Sequence, residues 1–107
     1  MGKSPIDEFL LELARSNEDL FTQTTRGIEK IRNRAYHREP LSKHIEKGLW
    51  ELRIRAGSDI LRILFTFAKG QIIILLHAFL KKQQKTPIAE LAIGRKRLKD
   101  LKERGVI

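Results

Sequence analysis

The spacing of apolar residues is helical over residues 4–39. Ser4 and Pro5 are typical of a helix start, because serine caps free amide groups and proline suits the first turn. The apolar stripe that follows consists of Ile6, Phe9, Leu10, Leu13 and Ala14. After a break at Ser16–Asn17, a second stripe consists of Leu20, Thr24, Ile28, Ile31 and Ala35, and Glu39–Pro40 closes it. The pattern predicts two helices that form a hairpin.

The spacing changes to alternation after Gly48. Over residues 49–55, the apolar residues on one face are Trp50, Leu52 and Ile54. The charged residues on the other face are Glu51, Arg53 and Arg55. Two more strands are predicted at residues 60–67 and 72–80, and the first of them carries Arg62 opposite its apolar residues. The last is apolar on both faces, which is typical of a strand that is central or covered on both sides.

A final helix is predicted after Thr86 and Pro87, which suit a cap and a first turn. Its apolar stripe consists of Ile88, Leu91, Ala92, Leu98 and Leu101. Gly94 lies inside this stripe, where glycine costs about 1 kcal/mol of helix stability relative to alanine.

The element order predicts one α+β domain over residues 1–107, with an N-terminal helical hairpin packed on a small antiparallel sheet, then a C-terminal helix. Short turns between the strands predict a meander with the helices on one face. Arg53, Arg55 and Arg62 would then share the open face of the sheet. Three guanidinium groups crowd together unfavourably unless an anion lies between them.

Composition excludes several kinds of chemistry. The chain has no cysteine, which removes disulfides, thiolate catalysis and cysteine zinc sites. His37, His44 and His77 do not have the spacing of metal ligands, so no metal and no cofactor is predicted. The longest apolar run, residues 72–76, is far shorter than the roughly 20 residues of a membrane span. With no apolar signal segment at the N-terminus, the protein is predicted to be cytoplasmic and free of the membrane.

The net charge of +9 is concentrated in the second half of the chain. Residues 1–50 carry nine basic and eight acidic side chains, whereas residues 51–107 carry thirteen basic and five acidic ones. This asymmetry favours a surface that faces a polyanion. A solvated basic face without a ligand is the alternative interpretation.

The arginines suit a phosphodiester, because the planar guanidinium group matches phosphate oxygens and stabilises added negative charge. In RNA the attacking group can be the neighbouring 2′-hydroxyl, so a ribonuclease needs neither a metal nor a protein nucleophile.

Such an enzyme still needs groups that move protons, and the sequence leaves these open. Glu51 shares the face of Arg53 and is either a base or an ion-pair partner. His77 lies among apolar residues and is either a hydrogen-bonded core histidine or a catalytic one. Lys81 or Lys82 could serve if neighbouring cations lower its pKa. Tyr36, near the end of the second helix, carries no chemical prediction.

The chain resembles the phage-derived HigB-like toxins of the RelE superfamily. The stretches that carry the resemblance are residues 2–10, 48–53, 61–63 and 75–87, followed by Glu90, and the most specific are "LWELR" and "FLKKQQKTP". The resemblance implies a RelE-like fold and the toxin of a type II toxin–antitoxin system. It implies an mRNA endoribonuclease (an mRNA interferase) that depends on the ribosome and inhibits translation. ParE relatives inhibit DNA gyrase instead, which is the alternative function.

By this resemblance the catalytic residues are Arg53, Arg62, Lys81 and Lys82. Flanking RNA backbone would be bound by Arg55, Lys85, Arg95 and Arg97. The expected partners are ribosome, mRNA and a cognate antitoxin with an acidic contact surface and a helix-turn-helix domain that binds operator DNA.

Departures from the family pattern are also visible. RelE carries a catalytic tyrosine near its C-terminus, whereas the single tyrosine here is Tyr36. Relatives usually begin with a strand ahead of the "GKSP" stretch, so the sheet is expected to have three strands, or four if such an edge strand exists.

Overall fold

The computed structural model describes residues 4–80 and 86–107. Its helices and strands, in chain order, are α1 (Pro5–Ser16), α2 (Glu18–Lys30), β1 (Ser42–Glu46), β2 (Leu49–Ala56), β3 (Asp59–Ala68), β4 (Ile72–Leu80) and α3 (Ile88–Glu103). Short 3-10 turns lie at Arg34–Tyr36 and Lys69–Gln71. The α+β class and the helical hairpin are confirmed. No helix formed by these residues is long and apolar enough to cross a membrane.

The start of each hairpin helix follows the predicted capping chemistry. The hydroxyl of Ser4 accepts a hydrogen bond from the amide of Asp7 at 3.2 Å, and the side chain of Asn17 accepts one from the amide of Leu20 at 3.1 Å. The prediction for the end of α2 is wrong: the helix ends at Lys30 and does not continue to Glu39–Pro40. Past that point the side chain of Asn33 accepts a hydrogen bond from the amide of Ala35 at 2.9 Å, a turn that competes with helix continuation.

The four strands form an antiparallel meander in the order β1-β2-β3-β4. The additional strand is β1, which pairs Ser42 with Leu52 and extends the sheet beside β2. The sequence pattern missed β1, and it lies within the chain rather than ahead of residue 2. Strand β4 is at the edge of the sheet, and α1 and α3 contact it.

The larger core lies between the sheet and the hairpin. It is built from Leu13, Leu20, Ile31, Leu52, Ile54, Leu61, Ile63, Phe65 and Ala78. Alternation along β2 and β3 supplies the strand residues of this core, as predicted.

The expectation that all helices lie on one face is wrong, because α3 packs on the opposite face. Leu49 and Leu64 lie on that face and form a second apolar cluster with Leu98 of α3. Gly94 explains the close approach, since a Cβ atom there would meet Leu64 Cδ1 at 2.6 Å. The glycine that weakens the isolated helix therefore allows α3 to pack. We call this side of the sheet the α3 face; it carries Leu49, Glu51, Arg53, Arg62, Leu64 and His77.

Candidate functional site

A buried carboxylate organises the charged end of the α3 face. Glu51 Oε1 accepts hydrogen bonds from Arg62 Nη1 and from Arg53 Nε, the latter at 3.3 Å. Glu51 Oε2 accepts a hydrogen bond from the hydroxyl of Thr86, which precedes α3. We call Glu51, Arg53, Arg62 and Thr86 the Glu51 cluster. Thr86 was predicted to cap α3, but no side chain caps that helix and the hydroxyl bonds Glu51 instead.

Strand register explains why the cluster forms. Arg53 of β2 and Arg62 of β3 are direct cross-strand partners. Like charges in that position repel each other. Glu51 is two residues from Arg53 on the same face, so its carboxylate reaches both guanidinium groups and relieves the repulsion.

The environment of Glu51 keeps it ionised. Burial of the carboxyl group opposes its charge, but hydrogen bonds from Thr86, Arg62 and Arg53 outweigh that effect and hold the pKa of Glu51 below its usual value. One carboxylate thus faces two guanidinium groups, and the cluster retains a net positive charge at neutral pH.

The predicted open face is wrong for Arg62. Its side chain is only 7% exposed and pairs with the Glu51 carboxylate, which also accepts a hydrogen bond from Thr86. Arg53 is more accessible, with 21% of its side chain exposed, and its outer Nη1 donates to Glu39 Oε1 at 2.6 Å. Arg55 is exposed one alternation further along β2. Access to solvent therefore increases from Arg62 through Arg53 to Arg55.

His77 is engaged in a separate network under α3. Its Nε2 lies 3.0 Å from Glu90 Oε1, and its ring stacks on Phe79 with the centroids 5.6 Å apart. Arg97 Nη1 donates to the backbone oxygen of Leu76 at 2.7 Å and lies 3.4 Å from His77 Nδ1. These contacts favour the hydrogen-bonded alternative for His77.

The remaining predicted residues are dispersed. Arg95 forms a half-exposed ion pair with Glu46, with Nη2 2.7 Å from Glu46 Oε1 and Nε 3.1 Å from both carboxylate oxygens. Lys81, Lys82 and Lys85 lie outside the described residues. Within residues 4–80 and 86–107, no group of three histidine, aspartate or glutamate side chains is placed to hold a metal ion.

A cavity beside Arg53 contains a residue that sequence reasoning missed. Its volume is about 310 Å³, and it is lined by Lys30, Tyr36, Pro40, Leu41, Arg53 and Arg55. We call it the Tyr36 cavity. The available sequence signal was an aromatic residue within a run rich in arginine and lysine, at residues 30–38.

Fold and site together define an α+β domain in which a four-stranded meander carries a buried glutamate–arginine cluster that is bonded to Thr86, just before α3. A family model described as "Phage derived protein Gp49-like (DUF891)" matches residues 8–99, from α1 into α3. The chain therefore belongs to the phage-derived Gp49-like family, and this membership is compatible with a toxin-like role. Comparison with curated proteins gives no match.

Proposed function

We propose that the protein is the toxin of a type II toxin–antitoxin system and cleaves mRNA on the translating ribosome. Membership of the phage-derived family supports a toxin-like role. The resemblance of "LWELR" and "FLKKQQKTP" to HigB-like toxins of the RelE superfamily supports the nuclease activity, and the basic second half of the chain suits an RNA target.

The observation that carries this proposal is the orientation of Arg53. Glu51 holds its Nε from within the sheet, while its Nη1 already bonds an exposed carboxylate, that of Glu39. A phosphate offers the same kind of charged acceptor. Arg53 therefore contacts the scissile phosphate and stabilises the added negative charge as the 2′-hydroxyl attacks. The P–O5′ bond breaks as the 2′-oxygen bonds to phosphorus, which leaves a free 5′-hydroxyl and a 2′,3′-cyclic phosphate that water can hydrolyse to a 3′-phosphate.

Glu51 acts as a positioning residue in this proposal, because it holds Arg53 and Arg62. Arg62 pairs with Glu51, and the phosphate contact predicted for it from the sequence stays a prediction. Both oxygens of Glu51 accept hydrogen bonds, and its lowered pKa makes it a weak base. We propose Lys81 or Lys82 for proton transfer, one of the alternatives that the sequence left open beside Glu51 and His77.

Cleavage of a translated message in a reconstituted translation reaction tests the role of Arg53. We expect Arg53→Ala to reduce the cleavage rate by about 100-fold, the usual effect of removing one group that stabilises a transition state. Arg32→Ala is the matched control, because Arg32 is an exposed arginine that pairs with Glu29 on the hairpin. Equal rates for wild type and Arg53→Ala would contradict the assignment. An intact message together with loss of gyrase supercoiling would point to the ParE-like alternative.

The proposed partners follow from charge. A surface this basic requires an acidic antitoxin to keep it from binding nucleic acid indiscriminately, and the complex would bind operator DNA through the antitoxin. Ribosome affinity should fall steeply with added salt, because phosphate contacts release counterions. With these partners, the protein would act in the cytoplasm.

A further inference from the structure

The Tyr36 cavity combines cations with an aromatic ring. Lys30 comes from the end of α2, Tyr36 from the turn that follows, and Arg53 and Arg55 from β2. The tyrosine is 41% exposed, and Lys30 Nζ lies 5.9 Å from the centroid of its ring. The side chains that line the cavity thus supply three positive charges and one aromatic surface.

This combination matches the chemistry of a nucleotide. Proteins that bind single-stranded nucleic acid place bases against aromatic rings and the backbone against arginine and lysine. The Tyr36 cavity offers both kinds of contact. Tyr36 provides a flat ring for a base, and Arg53 and Arg55 on β2 provide positive charge for the backbone.

The two carboxylates on Arg53 differ in how easily they can be replaced. Glu51 is buried and holds three hydrogen bonds. Glu39 is 62% exposed and holds Arg53 through a single ion pair. Exposed pairs of this kind contribute little stability, so an incoming phosphate can take the place of the Glu39 carboxylate without disturbing the Glu51 cluster.

We propose that the Tyr36 cavity binds one nucleotide of single-stranded RNA, an inference that rests on the RNA target proposed above. The base lies against Tyr36, and its phosphate replaces the Glu39 carboxylate on Arg53, with Arg55 and Lys30 supplying further positive charge. In the free protein Glu39 acts as an internal competitor for this phosphate position.

Binding of a short single-stranded RNA with 2′-O-methyl riboses tests the aromatic part. This RNA cannot be cleaved by 2′-hydroxyl attack, so affinity is measured by fluorescence anisotropy without the ribosome and without turnover. We expect Tyr36→Ala to weaken affinity about tenfold and Tyr36→Phe, which keeps the ring, to retain it. Leu11→Ala, at an exposed apolar residue outside the cavity, should have no effect. Because Tyr36 is exposed, thermal unfolding is expected to be unchanged in the variants.

Two glutamate variants test whether Glu39 competes with the RNA phosphate for Arg53. Glu39→Gln and Glu29→Gln each remove one exposed negative charge that pairs with an arginine. We expect Glu39→Gln to tighten RNA binding several-fold, whereas Glu29→Gln changes it much less. An equal gain in both variants would show a general charge effect and would overturn the proposed exchange at Arg53.

The outcomes separate this inference from the proposed nuclease activity. If Tyr36→Ala and Tyr36→Phe bind RNA as wild type does while wild type cleaves a translated message, the cavity is not a nucleotide site and the nuclease proposal stands. If Tyr36→Ala weakens binding while wild type cleaves no message, the nuclease proposal fails and the nucleotide site stands. A polyglutamate peptide that binds as tightly as the RNA, with the same response to Tyr36→Ala, would overturn the assignment to RNA.

Discussion

Different interactions stabilise the two ends of the α3 face. At one end, Leu98 of α3 packs against Leu49 and Leu64, and Gly94 lets the helix come close. At the other end, Glu51 is equally buried but is surrounded by charged and polar partners from three parts of the chain. The same face of the sheet therefore makes an apolar contact with α3 and, further along, a charged contact closed by Thr86, just before α3.

The two ends should differ in how well they tolerate substitutions. Apolar packing is non-directional, so a side chain of similar volume restores most of the contact. A buried charge depends on the specific donors around it. Removal of one charged partner leaves the other buried without an opposite charge, which is strongly destabilising. The charged end is therefore the less tolerant of the two, although it also fixes the orientation of Arg53.

Near-isosteric substitutions at the two ends should give the largest contrast. Glu51→Gln removes the negative charge between Arg53 and Arg62, and we expect it to lower the free energy of unfolding by about 3–5 kcal/mol. Leu64→Met conserves volume at the apolar end and should cost less than about 1.5 kcal/mol. Urea unfolding of both variants at pH 7 measures the two values. A smaller loss for Glu51→Gln than for Leu64→Met would refute the comparison.

The Glu51 cluster should also make stability depend on pH, and this effect should be smaller than the loss caused by Glu51→Gln at pH 7. The folded-state pKa of Glu51 lies below the value of about 4.3 for an unstructured glutamate. Between these two values the unfolded chain binds a proton that the folded chain does not. The stability linked to Glu51 is thus complete above about pH 5 and is lost as the pH falls through the folded-state pKa.

Glu51→Gln provides the reference for this measurement, because every other carboxyl group titrates in both proteins. We expect the stability gap between wild type and Glu51→Gln to be widest near pH 7 and to narrow progressively below about pH 5. Urea unfolding at a series of pH values measures the gap. A gap that stays constant down to pH 3 would contradict the lowered pKa.

Local signals in the sequence predicted much of the fold. The capping residues Ser4 and Asn17 mark helix starts through contacts three residues away, which a sequence pattern contains. Strand β1 was missed because Ser42–Glu46 has no alternation of its own and is defined by pairing with β2. The position of α3 was mistaken because it depends on a close approach at Gly94 that only the folded sheet reveals.

The candidate site was predicted in part for the same reason. Alternation places Arg53 and Arg62 on one face, and the register makes them direct partners. The hydrogen bond from Thr86 that completes the cluster is a non-local contact that no spacing encodes. Tyr36 was overlooked because its proximity to Arg53 and Arg55 arises from the turn after α2, where the predicted helix does not exist.

Removal of the negative charge from the half-exposed pair between Glu46 and Arg95 should give the smallest loss of stability. Two nitrogens of Arg95 donate to the Glu46 carboxylate, and this hydrogen bonding lowers the pKa of Glu46; burial opposes the shift, and the charge of Arg95 adds to it. Water and salt screen this pair, however, whereas they do not reach Glu51. We therefore expect Glu46→Gln to leave the urea midpoint unchanged within error at about 0.15 M salt, with a slight loss only at low salt. A loss as large as that of Glu51→Gln would mean that the geometry of a glutamate–arginine pair, rather than its burial, determines its contribution to stability in this protein.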